Sequence, residues 1–269
     1  MADPLVSVLV ICFNQEQFIQ EALISALEQD YSELEVVVAD DASTDATRTI
    51  IAELAKKYPA RLRPLLGEKN LGITGNSNRG LSVCKGKYIA MMGGDDVLLP
   101  GKISAQVAWL EEDHSRALCG HDVEWIDFNG NSLSVTSSQL IPMSSGCNAS
   151  GIIRYGPPFA ATSIMFRSNR VPEYGFHPRL PVISDWKMWI DIVGRDGCYG
   201  YIDGCYAKYR RHDGNVTANY NYRLFRDQLM TCFLSLYSLK GHYLIQWAQY
   251  FFDAVLRRVF SRAKHKEFE

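Results

Sequence analysis

The first hundred residues alternate short apolar runs with longer stretches of helical periodicity, and this alternation restricts the fold more than any other feature. Val6 to Phe13 is continuous and rich in β-branched residues, as a strand covered on both faces should be. From Gln15 to Gln29 the apolar residues Phe18, Ile19, Ala22, Leu23, Ala26 and Leu27 recur at helical spacing, with Asn14 placed to cap the helix. A second buried strand fits Leu34 to Ala39, followed by an acidic turn and a helix near Asp45 to Tyr58. Leu62 to Leu66 makes a third strand, a helix then runs into Val83, and Tyr88 to Met92 makes a fourth strand. Strands and helices alternating at this spacing predict an α/β protein with a mainly parallel central sheet flanked by helices.

Ligands in such sheets bind outside the carboxyl ends of the strands. Asn14, Asp40, Asp41, Asp95 and Asp96 fall at those ends, so acidic groups should gather on one rim. A nicotinamide-binding domain would carry G-x-G-x-x-G after its first strand, and a P-loop protein G-x-x-x-x-G-K-[ST]. This chain has CFNQEQF after the first strand and no P-loop pattern. A carboxylate rim holds a ligand's phosphate only through a metal, and hard oxygen ligands suit Mg²⁺ or Mn²⁺ bridged to a diphosphate. Asp95 is placed to hold such a metal-diphosphate, and Gly93 and Gly94 before it would let the ligand approach the backbone. The simpler alternatives stay open: Asp41 and Ser43 could cap the helix that follows, and Asp95 and Asp96 could be turn residues ahead of Pro100.

A chain of 269 residues can bury one large α/β domain, or a domain with an appendage. Its 28 basic and 30 acidic residues nearly cancel, which argues against a polyanionic partner such as nucleic acid. The seven cysteines show no CxxC pair or zinc spacing and read as reduced thiols of a cytoplasmic protein. The N-terminal apolar run lacks a basic flank and reads as a strand rather than a signal peptide, and no segment is long and apolar enough to span a membrane.

Five segments, PLVSVLVICFNQEQFIQEAL, VVVADDASTDAT, NLGITGNSNRGLSVCKGKYIAMMGGDDVLLPGK, SDWKMW and YRRHDGNVT, follow in order between about residues 4 and 217. Together they resemble the inverting family 2 glycosyltransferases of the GT-A fold that build bacterial surface polysaccharides such as O-antigen. The resemblance implies transfer of a sugar from a nucleotide-diphosphate donor, UDP by the family's usual habit, to a hydroxyl of a glycan or lipid-linked acceptor. It implies a catalytic domain over residues 1–217, with a nucleotide-binding half (1–113) and an acceptor-binding half (114–217), and a helical C-terminal extension over 218–269. Residue by residue, Asp41 matches the nucleoside-contacting aspartate, with Asp40 beside it. Cys12, Phe13, Asn14 and Glu16 match the strand end where base and ribose pack, and Asn70, Gly72, Asn78 and Arg79 match the loop and helix flanking the nucleotide. Asp95, preceded by Gly94, matches the second aspartate of the metal-binding D-x-D; the first is replaced by Gly93.

The same resemblance makes Asp185 the general base, His212 a second metal ligand, and Asp96, Trp186 and Arg211 candidates for contact with diphosphate or acceptor. One carboxylate suffices for this reaction, because the metal neutralises the departing diphosphate and no acid is needed to protonate it. Arg210 could also meet phosphate oxygens. A catalytically silent nucleotide-sugar or glycan-binding module remains an alternative because of Gly93. A sugar nucleotidyltransferase is a weaker one, since CFNQEQF lacks a Gly- and Lys/Arg-rich triphosphate loop.

The second half is less regular. CGHDVEWIDFNGNSL reads as a hairpin turning at Asn129 and Gly130, and Thr162 to Arg167 as a strand. Pro142 to Pro158 reads as a mobile, acceptor-facing loop. Trp125, Tyr155 and Phe159 could stack on sugar rings or simply pack in the core. Asn215 heads an N-x-T sequon. Tyr220 to Lys266 reads as one or two long helices. Trp247, Tyr250, Phe251 and Phe252, with Arg257, Arg258, Arg262, Lys264 and Lys266, would suit a helix lying on an anionic membrane, making the protein peripheral at the inner face of the cell membrane. Packing on the catalytic domain or on a second subunit of a homodimer is an equal alternative.

Overall fold

A mainly apolar strand such as Val6–Cys12 needs cover on both faces, and in the computed structural model of the protein the first half of the chain provides it. The structure describes residues 3–136, 147–157, 159–212, 222–238 and 244–253. Strand β1 (Val6–Cys12) lies between β2 (Leu34–Asp40) and β4 (Tyr88–Gly93), with β3 (Leu62–Leu66) outside β2, all parallel. Successive side chains on a strand point to opposite faces. Val8 and Val10 therefore join one buried cluster with Ile19 and Leu23 of α1 (Ile19–Leu27) and Ile51 of α2 (Thr47–Lys57). Leu9 points the other way, into a second cluster with Val37 and Met91. Helix α3 (Gly72–Leu81) packs against β1 and β2.

The sheet continues into the second half through antiparallel pairings. After the two-residue β5 (Val97–Leu98) and α4 (Lys102–Glu111), β6 (Arg116–Ile126) and β7 (Ser132–Thr136) form the hairpin read from Asn129 and Gly130. Gly130 has φ +87°, the left-handed conformation that glycine adopts without strain. Helix α5 (Ala149–Tyr155) leads to a short 3-10 turn at Ala161–Ser163 and to β8 (Met165–Arg167), so the predicted strand from Thr162 starts three residues late. Strand β8 is antiparallel to both β4 and β6, and β9 (Cys198–Arg210) is parallel to β6 and antiparallel to β5. The spatial order is β3-β2-β1-β4-β8-β6-β9-β5, with β7 on β6. Parallel pairing thus recurs in the second half, between β6 and β9, and the antiparallel pairings are those of β8, β5 and β7.

Helix α6 (Ser184–Val193) and α5 cover the second face, together with α7 (Tyr222–Ser238) and α8, helical over residues 244–253. Cys232, Trp247 and Tyr250 are buried there, with the Tyr250 ring 4.8 Å from that of Trp186. Part of the aromatic set read as membrane-facing is therefore core: Trp247 and Tyr250 pack inward, while Leu244, Ile245 and Phe252 are exposed. Arg257, Arg258, Arg262, Lys264, Lys266 and Asn215 lie outside the described residues, as does 142–146 of the predicted loop. Phe159 is buried against Gly120 and Tyr199, as its packing alternative expects. No helix among the described residues is long and apolar enough to cross a membrane.

Candidate functional site

The carboxyl ends of β1, β2 and β4 open onto a cleft of about 820 Å³, a volume suited to a nucleotide-sized ligand. Of the residues singled out in the sequence, Cys12, Phe13, Asn14, Glu16, Asp41, Asn70, Asp95, Asp96 and His212 line it. No lysine or arginine is among its described lining residues.

One wall is a zipper between two loops. Asn14 donates its N–H to Ser43 Oγ at 2.8 Å, and its Oδ1 accepts from the N–H of Thr44 at 2.8 Å. The N–H of Glu16 donates to Asp45 Oδ2, and Glu16 Oε2 accepts from the N–H of Ala46. Asn14 therefore does not cap α1, which starts five residues later; it caps the neighbouring loop and adopts φ +51° to do so. Ala42 has φ +62°, a conformation that a Cβ-bearing residue holds only when its surroundings impose it. Asp41 Oδ1 accepts from the N–H of Leu71 at 2.7 Å, tying the second-strand turn to the loop that carries Asn70.

Asp40 and Arg79 stand behind this wall rather than on it. Asp40 is fully buried, its Oδ2 accepts from the N–H of Ser43, and its carbonyl accepts from Arg79 Nη2. Arg79 also donates to Asn76 Oδ1, and Asn76 Nδ2 donates to the Ala39 carbonyl. It is Asn76 that lines the cleft, with Gly72 and Ile73, whereas Asn78 bonds the backbone of Phe176 through both ends of its amide. At 100° per residue, Asn76 returns to the face of Gly72 and Asn78 does not. That periodicity was the signal available in the sequence.

The opposite wall carries the acidic turn. Asp95 Oδ2 and His212 Nε2 are 2.9 Å apart, and the His212 ring stacks at 5.3 Å on Phe18. Asp96 is buried and accepts at Oδ1 from the N–H of Arg210 at 3.0 Å. Burial and the neighbouring Asp95 charge hold its carboxyl well above the usual carboxylate range. Arg210, which the sequence offered for phosphate, is instead fully engaged. Its guanidinium donates to the carbonyls of Asp95, Asp127 and Phe128 and to Glu21 Oε2, and it lies 4.8 Å over the Phe18 ring. It clamps the Asp95 turn to the hairpin turn, whose Phe128 lines the cleft. Arg211 stacks 3.8 Å over Trp125, outside the cleft. Gly94 lies beneath the turn, where a Cβ would meet Gln15 Oε1 at 2.4 Å and Cys12 Cβ at 2.7 Å. Phe18, Asn76, Phe128 and Tyr209 line the cleft without having been read as site residues. Apolar positions at helical spacing, such as Phe18, read as core.

Asp95 and His212 fit a divalent cation as one carboxylate and one imidazole. Among the described residues there is no group of three such ligands. Gly93 explains why: a Cβ there would meet Asp95 Oδ1 at 2.6 Å and Asp96 Oδ2 at 3.2 Å, so the two aspartates fill the space of a third side chain.

Asp185 does not line the cleft. It is half-buried in the first turn of α6, with Oδ1 accepting from the N–H of Trp186 at 2.8 Å, and burial raises its pKa above the ordinary aspartate value. The next residue inward in sequence, Ser184, places its Oγ 2.9 Å from Thr74 Oγ1 on α3, the helix that lines the cleft. Trp186 is a core residue, 1 % exposed, with its indole N–H donated to the Ile152 carbonyl, so it offers no surface to an acceptor.

The sequence model of Glycosyl transferase family 2 matches residues 7–145. The chain belongs to glycosyl transferase family 2. It is 31% identical over 226 residues to an uncharacterized glycosyltransferase of Haemophilus influenzae, covering 81% of this chain and 69% of that protein. It is 35% identical over 210 residues to the uncharacterized protein Rv1520 of Mycobacterium tuberculosis, covering 77% of this chain but 58% of that one, so some relatives of this family 2 chain are considerably longer. Among solved structures, S. aureus TarS 1–349 in complex with UDP-GlcNAc superimposes with a TM-score of 0.70 at 20% identity, covering 92% of this chain and 71% of that one. The mannosyltransferase PcManGT of Pyrobaculum calidifontis, in complex with GDP-Man and Mn2+, gives 0.66 at 16% identity over the whole of this chain and 82% of that one. At those identities the likeness establishes the GT-A fold.

Proposed function

We propose that the protein transfers a sugar from a nucleoside diphosphate, UDP first among the candidates, to a hydroxyl of a glycan or lipid-linked acceptor in bacterial surface polysaccharide synthesis, with inversion at the anomeric carbon. The observation that carries this reading is the charge of the cleft. Asp41, Asp45 and Asp95 line it and no lysine or arginine is among its described lining residues, so a diphosphate enters with its own cation. Asp95 and His212 are the residues that would hold Mn²⁺ or Mg²⁺ there. The bound metal would supply charge neutralisation for the leaving diphosphate. Phe13 offers an exposed ring at the end of β1 for a base to pack against, and Asp41, held at one oxygen by Leu71, keeps its other oxygen for a donor on the nucleoside. Asp185 is the proposed general base, its raised pKa matching a group that must take a proton from an attacking hydroxyl. The UDP-GlcNAc complex of S. aureus TarS 1–349 supports UDP, while the GDP-Man complex of PcManGT keeps GDP in the comparison.

Calorimetric titration of UDP, GDP and dTDP, each with Mn²⁺, Mg²⁺ or EDTA, tests the reading. Metal-dependent binding of one nucleotide is the expected result. Binding of none overturns it in favour of a silent glycan-binding module, a reading favoured by Gly93 in place of a metal-binding aspartate.

A further inference from the structure

The general base proposed above begins α6 without a capping side chain: Ile183 occupies the cap position and makes no side-chain bond. The segment entering the helix, Leu180 to Ser184, is not part of the sheet, so something else must fix it. Two buried side chains from distant parts of the chain do. Thr74 Oγ1 donates to the Leu180 carbonyl at 2.6 Å. A hydroxyl has one proton. The 2.9 Å contact between Thr74 Oγ1 and Ser184 Oγ is therefore a bond donated by Ser184. From the other side, Asp227 Oδ2 on α7 accepts from the N–H of Val182 at 2.9 Å. Thr74, Ser184 and Asp227 are all buried, where a lost hydrogen bond is not replaced by water.

We infer that Thr74 is a positioning residue for the reaction, holding the start of α6 so that Asp185 is registered against the nucleotide cleft. The assignment rests on Asp185 being the base. Thr74 follows Ile73 and precedes Asn76, and both of those line the cleft. The helix that flanks the nucleotide and the helix that presents the base are thereby joined through the hydroxyls of Thr74 and Ser184. Asp227 completes the grip from the C-terminal helix, which ties residues beyond 217 to the chemistry.

Thr74→Val keeps the shape and removes the hydroxyl, leaving Ser184 and the Leu180 carbonyl without their partner. The expected result is a kcat lower by about 10- to 100-fold, the scale of a small misplacement of a reacting group. Affinity for the nucleotide with Mn²⁺ stays within about twofold, because no cleft-lining side chain changes. Faster hydrogen exchange in the peptide covering Leu180 to Trp186 accompanies the loss, and Thr74→Ser, which restores the hydroxyl, recovers most of kcat. Turnover is read as UDP released from the UDP-sugar used, in the full chain. Wild-type kcat in Thr74→Val, or an equal loss in Thr74→Ser, overturns the inference. Should Thr74→Val fail to fold, Asp227→Asn, which keeps an acceptor oxygen, and Thr74→Ser carry the comparison through exchange at Leu180 to Trp186. Unaltered turnover in Asp185→Asn is a separate failure: it removes the base itself, and this inference with it.

Discussion

At the scale of single residues, the site depends on carboxylates in unlike surroundings. Asp95 faces the cleft and His212, so Asp95→Asn removes the only carboxylate of the pair. Its expected effect is a loss of Mn²⁺-dependent nucleotide affinity of at least about tenfold, as even outer-shell partners of metal sites cost that much. Calorimetry with and without EDTA reads it, and undiminished metal dependence would remove Asp95 as a ligand. Asp185 has the opposite problem, since burial disfavours its charge and raises its pKa. A base works ionised, so kcat should fall on the acid side at a higher pH than an ordinary aspartate, near 3.9, would give. The stability linkage follows from the same direction. A folded pKa raised above the unfolded one contributes stability that is present below the unfolded pKa and lost as pH rises through the folded one. Asp185→Asn removes the buried charge, and should abolish turnover while leaving the thermal midpoint at pH 8 equal or higher, an advantage that shrinks below pH 4. A midpoint lowered at pH 8 and unchanged at pH 4 would contradict the burial argument.

At the scale of elements, what was legible in the sequence was whatever local periodicity determines. The four parallel strands and the helices between them follow from apolar runs and helical spacing, and residues at strand ends, such as Asp41 and Asp95, fell on the rim as topology requires. What was not legible depends on partners far away in sequence. Asn14 reads locally as a cap, yet the loop at residues 43–47 claims its groups. Strand β9, with glycines and charges, has no strand-like run, and is made by pairing along β6 with several register shifts. Its Gly200 leaves room for the Trp109 ring, 2.0 Å from where a Cβ would stand. Gly80 on α3 shows the same priority of packing over propensity. By helix propensity alone Gly80→Ala should stabilise by about 1 kcal/mol. A Cβ there, however, would lie 2.4 Å from Leu9 Cδ1 and 3.2 Å from Ala39 Cβ, both fully buried. Overpacking of this kind costs about 1–3 kcal/mol, so net destabilisation is expected in a urea titration. A more stable variant would mean that α3 can shift off the sheet freely.

At the scale of the whole molecule, the boundary drawn at residue 217 marks a change of layer and not the edge of the core. Helices α7 and α8 bury Cys232, Trp247 and Tyr250 against the face formed by α5 and α6, and Asp227 reaches the segment before Asp185. At about 1.5–3 kcal/mol for each large buried side chain, removing them costs a sum comparable to the about 5–15 kcal/mol that holds a domain folded. A chain ending at residue 217 should therefore lose cooperative unfolding. A chain ending at residue 253 keeps those contacts and should keep both its thermal midpoint and its nucleotide affinity. It lacks Arg257, Arg258, Arg262, Lys264 and Lys266 while retaining the exposed Leu244, Ile245 and Phe252. Near an anionic bilayer each basic residue contributes about 1 kcal/mol, screened by salt. If this end of the molecule rests on a membrane, the full chain should pellet with vesicles containing phosphatidylserine at low salt, and the 253-residue chain should pellet far less. Equal pelleting of the two would assign the binding to the apolar face alone. Failure of both to pellet would leave the exposed face of α8 to a protein partner, and size-exclusion chromatography of the same two chains would then show whether that partner is a second copy.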